Sequence, residues 1–152
     1  MIFLSNFIHA WFFCIAPLTL FNYKPTLRQH MLFTLVYGFS VYLSRRIYEI
    51  LPVPFGTHTF ILIAISVALF VFVCKVSFKI SLLCSIIVFI VLVVSDGIIS
   101  LPVMNLLNIT IKSYDESVLH RAIVLSLGIV PLVIMVLVGK LVNIKKQLKS
   151  AL

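Results

Sequence analysis

Apolar residues in this chain come in long uninterrupted runs, and polar residues gather in short stretches between them. A helix crosses a hydrocarbon core about 30 Å thick in about 20 residues, at ~1.5 Å each. Five stretches meet that length: residues 2–21, 31–50, 55–74, 80–99 and 122–139. The first contains no Asp, Glu, Lys or Arg. The second loses its apolar character early, at Arg45, Arg46 and Glu49, and the fourth is interrupted late by Asp96. Residues 80–94 are rich in β-branched side chains, which favours strand by propensity. The run nevertheless lacks the alternation of a membrane barrel, and an open sheet cannot satisfy its backbone in lipid. The predicted fold class is therefore all-α, a polytopic membrane bundle of about five transmembrane helices over 1–139, followed by a basic amphipathic tail over 140–152.

Composition agrees with lipid as the solvent. The chain is 62% hydrophobic and 11% charged, with a mean hydropathy of +1.24, too few charges for the polar shell of a soluble domain. The net charge of +8 sits at the flanks of the apolar runs, where it speaks to orientation and lipid headgroups. Without basic residues interleaved with aromatics on one surface, nucleic acid is not an expected partner. The first run has no basic segment ahead of it, so it reads as a retained helix and not as a cleaved signal peptide.

The connections carry the orientation signal. Residues 22–30 hold Lys24 and Arg28, 51–54 form a Pro52-Val53-Pro54 turn, 75–79 make a tight basic hairpin, and 102–117 form the longest loop, with Lys112, Asp115 and Glu116. With the C-terminus in the cytoplasm, Lys24, Arg28, Lys75, Lys79, Lys140, Lys145, Lys146 and Lys149 lie inside, 8 of the 12 basic residues. The positive-inside rule thus favours N-out/C-in in a multi-pass protein of the cell membrane. All four acidic residues then fall outside, which is consistent. If the second stretch is re-entrant, the crossings number four and the N-terminus moves inside.

A charge in lipid costs about 2.5–3.5 kcal/mol even on the lenient insertion scale. Arg45, Arg46, Glu49 and Asp96 are accordingly the informative residues. At ~1.5 Å per residue, Arg45 lies about 21 Å and Asp96 about 24 Å from the inner ends of their helices, so both reach the outer half. An Arg–carboxylate pair satisfies two desolvated groups at once. Glu49 shares a helix face with either arginine, and Thr57 and His58 open the next helix at the same level. Two readings stand side by side: a site for a ligand or partner helix, and a structural arrangement in which the arginines snorkel to headgroups and Asp96 pins two helices together.

Other polar residues add less. His9 reads as a packed residue, and His30 and His120 as interfacial ones. No histidine pair at i, i+4 and no HExxH is present, so no metal or other cofactor is expected. Asn108-Ile109-Thr110 matches the short glycosylation sequon. Neither a Gly-rich phosphate loop nor GxSxG occurs, so the chain is not expected to be an enzyme. Cys14, Cys74 and Cys84 are odd in number, without CxxC, and lie in apolar runs. They read as packing residues, neither a disulfide framework nor a zinc site. In the tail, Leu141, Ile144, Leu148 and Leu152 fall at helical spacing with Lys140, Lys145, Lys146 and Lys149 on other faces. That helix either lies on anionic lipid or begins a coiled segment with a partner.

The stretch 45–59, RRIYEILPVPFGTHT, resembles the membrane-embedded sensing region of multi-pass, GHKL-type histidine kinases of Gram-positive bacteria. The shared pattern is a helix ending in basic residues, then Pro54, Phe55, Gly56, Thr57, His58 and Thr59 opening the next, with an acidic residue late in a following segment, here Asp96. The resemblance spans 24–97. It implies ligand perception at the membrane. The phosphoacceptor and ATP-binding domain of a kinase have no counterpart here, so it implies no phosphotransfer by this chain.

The expected function is a non-enzymatic sensor-like or regulatory module whose outer polar cluster meets a ligand or partner helix. Its expected partners are the lipid bilayer and a membrane or cytoplasmic signalling protein, or a second copy through self-association. The alternatives are a small transporter subunit or channel-like oligomer using Asp96 and the arginines to line a path, and, last, a membrane-embedded enzyme.

Overall fold

The computed structural model describes residues 2–50, 57–108 and 118–151, with side chains for 6–44, 47, 58–108, 119, 120 and 122–145. Local chemistry sets most helix ends. Helix α1 (Ile2–Leu20) stops where Asn22 adopts a φ of 57°. The Tyr23 amide then donates to the Leu18 carbonyl at 2.9 Å and Asn22 to Thr19 at 3.2 Å, the paired bonds of a Schellman cap. Helix α2 (Leu27–Ile50) opens on a capping box. The Gln29 amide donates to Thr26 Oγ1 (3.3 Å), and the Thr26 amide donates back to Gln29 Oε1 (2.9 Å). Helix α3 (Thr57–Phe72) gives way to a turn with Lys75 at φ 56°, where the Val76 amide reaches the Phe70 carbonyl at 3.0 Å.

Helix α4 (Phe78–Ser95) passes through a π-helical turn, Asp96–Ser100, into α5 (Leu101–Leu106), so Phe78–Leu106 is one rod. Pro102 explains the wide turn. It has no amide to donate, and its ring would collide with a carbonyl one regular turn back; the extra residue moves that carbonyl away. Asn108, at φ 52°, ends the rod. Helix α6 (Val118–Ala151) is 34 residues long and includes Pro131.

Contacts between side chains give the register. Phe13 of α1 stacks on Tyr37 of α2 (4.4 Å between centroids), Phe33 of α2 meets Phe70 of α3 (4.7 Å), and Ser66 of α3 donates to Ser85 of α4 (2.8 Å). These neighbours run antiparallel. Against α6, by contrast, α1 is parallel: Gly128 lies beside His9 and Gly139 beside Thr19, at nearly the same sequence offset. Helix α1 packs on α6, α2 and α4, and α3 joins α2 to α4. Phe13, Phe33 and Phe70 are fully buried and form the centre with Tyr37, while Ala10, Ala16, Ser81, Ser85 and Cys84 let the backbones close in around them.

The described residues are all-helical, without strands. Two stretches, Phe78–Leu106 and Ala122–Lys145, are long and apolar enough to cross a membrane, and Asn6–Leu20 and His58–Phe72 are shorter apolar helices. Only 22% of each long stretch is buried, whereas the core helix of a soluble protein is mostly covered. Phe60, Phe72, Ile98 and Leu106 point outward, each at least 70% exposed.

Three differences from the sequence reading have physical causes. The helix does not stop at Asp96 or Pro102, because the π-turn absorbs the proline; the connection after it is shortened to match. The tail does not form a separate unit, because α6 runs on through it to Ala151. His30 is not interfacial. It is buried at 4% exposure, with its ring 3.8 Å from that of Trp11 and its Nε2 3.0 Å from the Trp11 carbonyl.

Two expectations follow from the packing. A Cβ on Gly139 would meet Thr19 Oγ1 at 2.8 Å and the Leu20 nitrogen at 3.0 Å, so Gly139→Ala is expected to cost about 1–3 kcal/mol in thermal unfolding in detergent. Gly97→Ala, with nothing within 4 Å, is the matched neutral control. Trp11 is the single tryptophan, so its emission reports the His30 contact. His30→Leu is expected to change that emission and to cost about 0.5–1.5 kcal/mol, the net worth of one hydrogen bond; unchanged emission would place the two rings apart.

Candidate functional site

One end of the bundle collects the carriers of charge singled out in the sequence. Alternation of α1 to α4 puts the start of α1, the end of α2, the start of α3, the π-turn and the start of α6 there. Asp96 is exposed in the π-turn, and Ser100 Oγ donates to its Oδ1 at 3.0 Å. Both residues therefore face one side of the widened turn. Single π-turns inside α-helices recur at functional positions because they re-aim side chains that a regular helix would point elsewhere. The turn packs on α6. Ser95, directly before it, is buried at 7% exposure, and its hydroxyl has no hydrogen-bond partner among the described residues. Asn6 Nδ2, at 4% exposure near the start of α1, is likewise without one. Buried polar atoms of this kind are rare, so these two mark the polar part of the core.

Arg45, Arg46 and Glu49 occupy the last turns of α2, which packs between α1 and α3; their side chains lie outside the described residues. The turn at 52–54, the segment 54–56 of the resemblance and the Thr57 side chain also lie outside them, as do Lys112, Asp115, Glu116 and the Arg121 side chain. His58 is half-buried in the first turn of α3, its Nε2 3.5 Å from Thr59 Oγ1. The antiparallel α2–α3 pair brings His58 to the end where the arginines lie, whereas Asp96 sits on the α6 side. Below His58 a groove of about 320 Å³ opens between α2 and α3, lined by Leu43, Ile47, Ile61 and Ile65. Ser40 and Ser44 also line it, but their hydroxyls donate to the Val36 and Val41 carbonyls (2.8 and 2.9 Å), so the groove is apolar in effect.

The opposite end is basic. Lys24, Arg28, Lys75, Lys79 and Lys140 are all exposed there, and Lys145 is exposed further along α6; the side chains of Lys146 and Lys149 lie outside the described residues. A residue that sequence patterns missed ties this end together. Asn143 Nδ2 donates to the Thr19 carbonyl at 2.6 Å, one of the last acceptors of α1. Its only sequence signal was an amide among lysines and aliphatic residues. His9, by contrast, packs beside Gly128 as the sequence suggested.

Among the described residues no three His, Cys, Asp or Glu side chains are arranged to hold a metal ion. No protein-family model, curated protein or solved structure matches this chain.

Proposed function

We propose that the chain is a multi-pass protein of the cell membrane, with five crossings, N-out/C-in, acting as a non-enzymatic sensor-like or regulatory module. The outer site comprises Asp96 with Ser100 on one side and Arg45, Arg46, Glu49 and His58 on the other. It meets a ligand or partner helix, and α6 carries its state to the basic tail.

The parallel pairing of α1 with α6 is the observation that carries this reading. Two helices run parallel only if an odd number of crossings lies between them, and α2, α3 and the α4–α5 rod supply three. A re-entrant α2 would leave two and make the pair antiparallel. At ~1.5 Å per residue α1, α2 and α3 reach about 28, 36 and 24 Å, against a core of about 30 Å. Helix α6 reaches about 51 Å, so some 20 Å of it stands beyond the hydrocarbon. It abuts the π-turn at one end and holds exposed Lys140 and Lys145 at the other. A displacement at Asp96 therefore has a rigid path to the tail.

Topology is checked by labelling single cysteines in intact cells with an impermeant maleimide. Lys112→Cys is expected to label and Lys24→Cys to stay protected; the reverse pattern rejects the orientation. For function, crosslinking from Lys145 and Lys146 is expected to recover a protein partner, and recovery of lipid alone counts against it. Asp96→Asn and Arg45→Ala are expected to lower that recovery roughly tenfold, about one charge-assisted hydrogen bond, with insertion intact. Full recovery in both variants would leave a purely structural role.

A further inference from the structure

Three helices each deliver one cysteine to the same part of the core. Cys14 comes from the middle of α1, Cys74 from the turn one helical step past Phe70, and Cys84 from the buried face of α4. All three belong to one buried cluster and are free thiols, Cys14 and Cys84 at 0% exposure and Cys74 at 8%. The Cys14 and Cys74 thiols are hydrogen-bonded to each other, with Cys84 beside them. Such a contact needs the sulfurs to close by about 2 Å or less to reach the ~2.05 Å of a disulfide. The aromatic cluster holds both backbones in place, since Phe13, next to Cys14, and Phe70, one turn before Cys74, both pack on Phe33.

We propose that Cys14 and Cys74 are a redox pair, oxidised to a disulfide by a quinone dissolved in the membrane. The inference is independent of the outer site. The trio is not arranged for a metal ion, which leaves thiol chemistry as its distinctive property. Its surroundings are apolar, so a water-soluble oxidant is poorly placed, whereas a quinone partitions into lipid. Cys74, the one thiol with any exposure, is the point of contact. The two S–H bonds break and one S–S bond forms; two electrons and two protons pass to the quinone, which leaves as the quinol. The bond staples α1 to the α3–α4 turn. Because α1 is also fastened to α6 through Thr19, oxidation stiffens the end of the bundle from which the tail emerges.

The experiment treats membranes holding the full chain with duroquinone, a fully substituted quinone with no unsubstituted ring carbon for thiol addition. The protein is then denatured, its thiols are alkylated and peptides are read by mass spectrometry. The expected result is that two of the three thiols become unreactive, a Cys14–Cys74 linked peptide appears, and one quinol forms per bridge. Cys84→Ala should retain the bridge, and Cys74→Ala should leave both remaining thiols open to alkylation. Three reactive thiols in the treated wild-type chain, or a bridge that includes Cys84, would overturn the proposal; neither readout depends on a variant folding.

Discussion

At Gly139 the backbone of α6 comes so close to Thr19 and Leu20 that no side chain fits between them. Lipid supplies no hydrophobic drive for one helix to join another, so association rests on how near two backbones approach and which polar groups pair on the way. The Gly139 contact supplies the first, and the Asn143 amide on the Thr19 carbonyl supplies the second. Together they fix the last helix parallel to the first. Every statement about sidedness in the bundle follows from that pairing, because it sets the parity of the crossings between them.

The rest of the packing follows a similar logic with different materials. Large rings fill the centre, where Phe13, Phe33, Phe70 and Tyr37 meet, and small residues let the helices close around them. Hydroxyls in the core are mostly returned to the backbone or to each other. Ser66 donates to both the Ile63 carbonyl and Ser85 Oγ, and Thr19 donates to Ala16. Against that background the buried hydroxyl of Ser95 and amide of Asn6 stand out, and both lie toward the end that carries Asp96. The polar character of that end thus reaches into the core, beyond the charged residues themselves.

Function, in the reading offered here, depends on the continuity of two rods. The π-turn lets the α4–α5 rod pass a proline without ending, and so holds Asp96 on a rigid element beside α6. Helix α6 then runs past the end of α1 and presents lysines beyond it. A loop at either place would break the mechanical link between the two ends.

How much of this was legible in the sequence depends on how local the cause is. Length of apolar runs, the excess of lysine at one end and the helical spacing of the tail are properties of neighbouring residues, and they gave helices, placed Asp96 at one end with the arginines of α2, and made α6 continue into the tail. The capping box at Thr26 and Gln29 was also readable, since it needs residues only three apart. Three things were not. The wide turn at Asp96 depends on a proline six residues later and on α6 packing against it. The burial of His30 depends on Trp11, which is 19 residues away. The meeting of Cys14, Cys74 and Cys84 needs three helices folded together, and no spacing in a single run encodes it. Bilayer crossing is a property of composition, which one chain segment can state by itself; proximity between segments is settled only when backbones pack, because each contact depends on the shape of the partner.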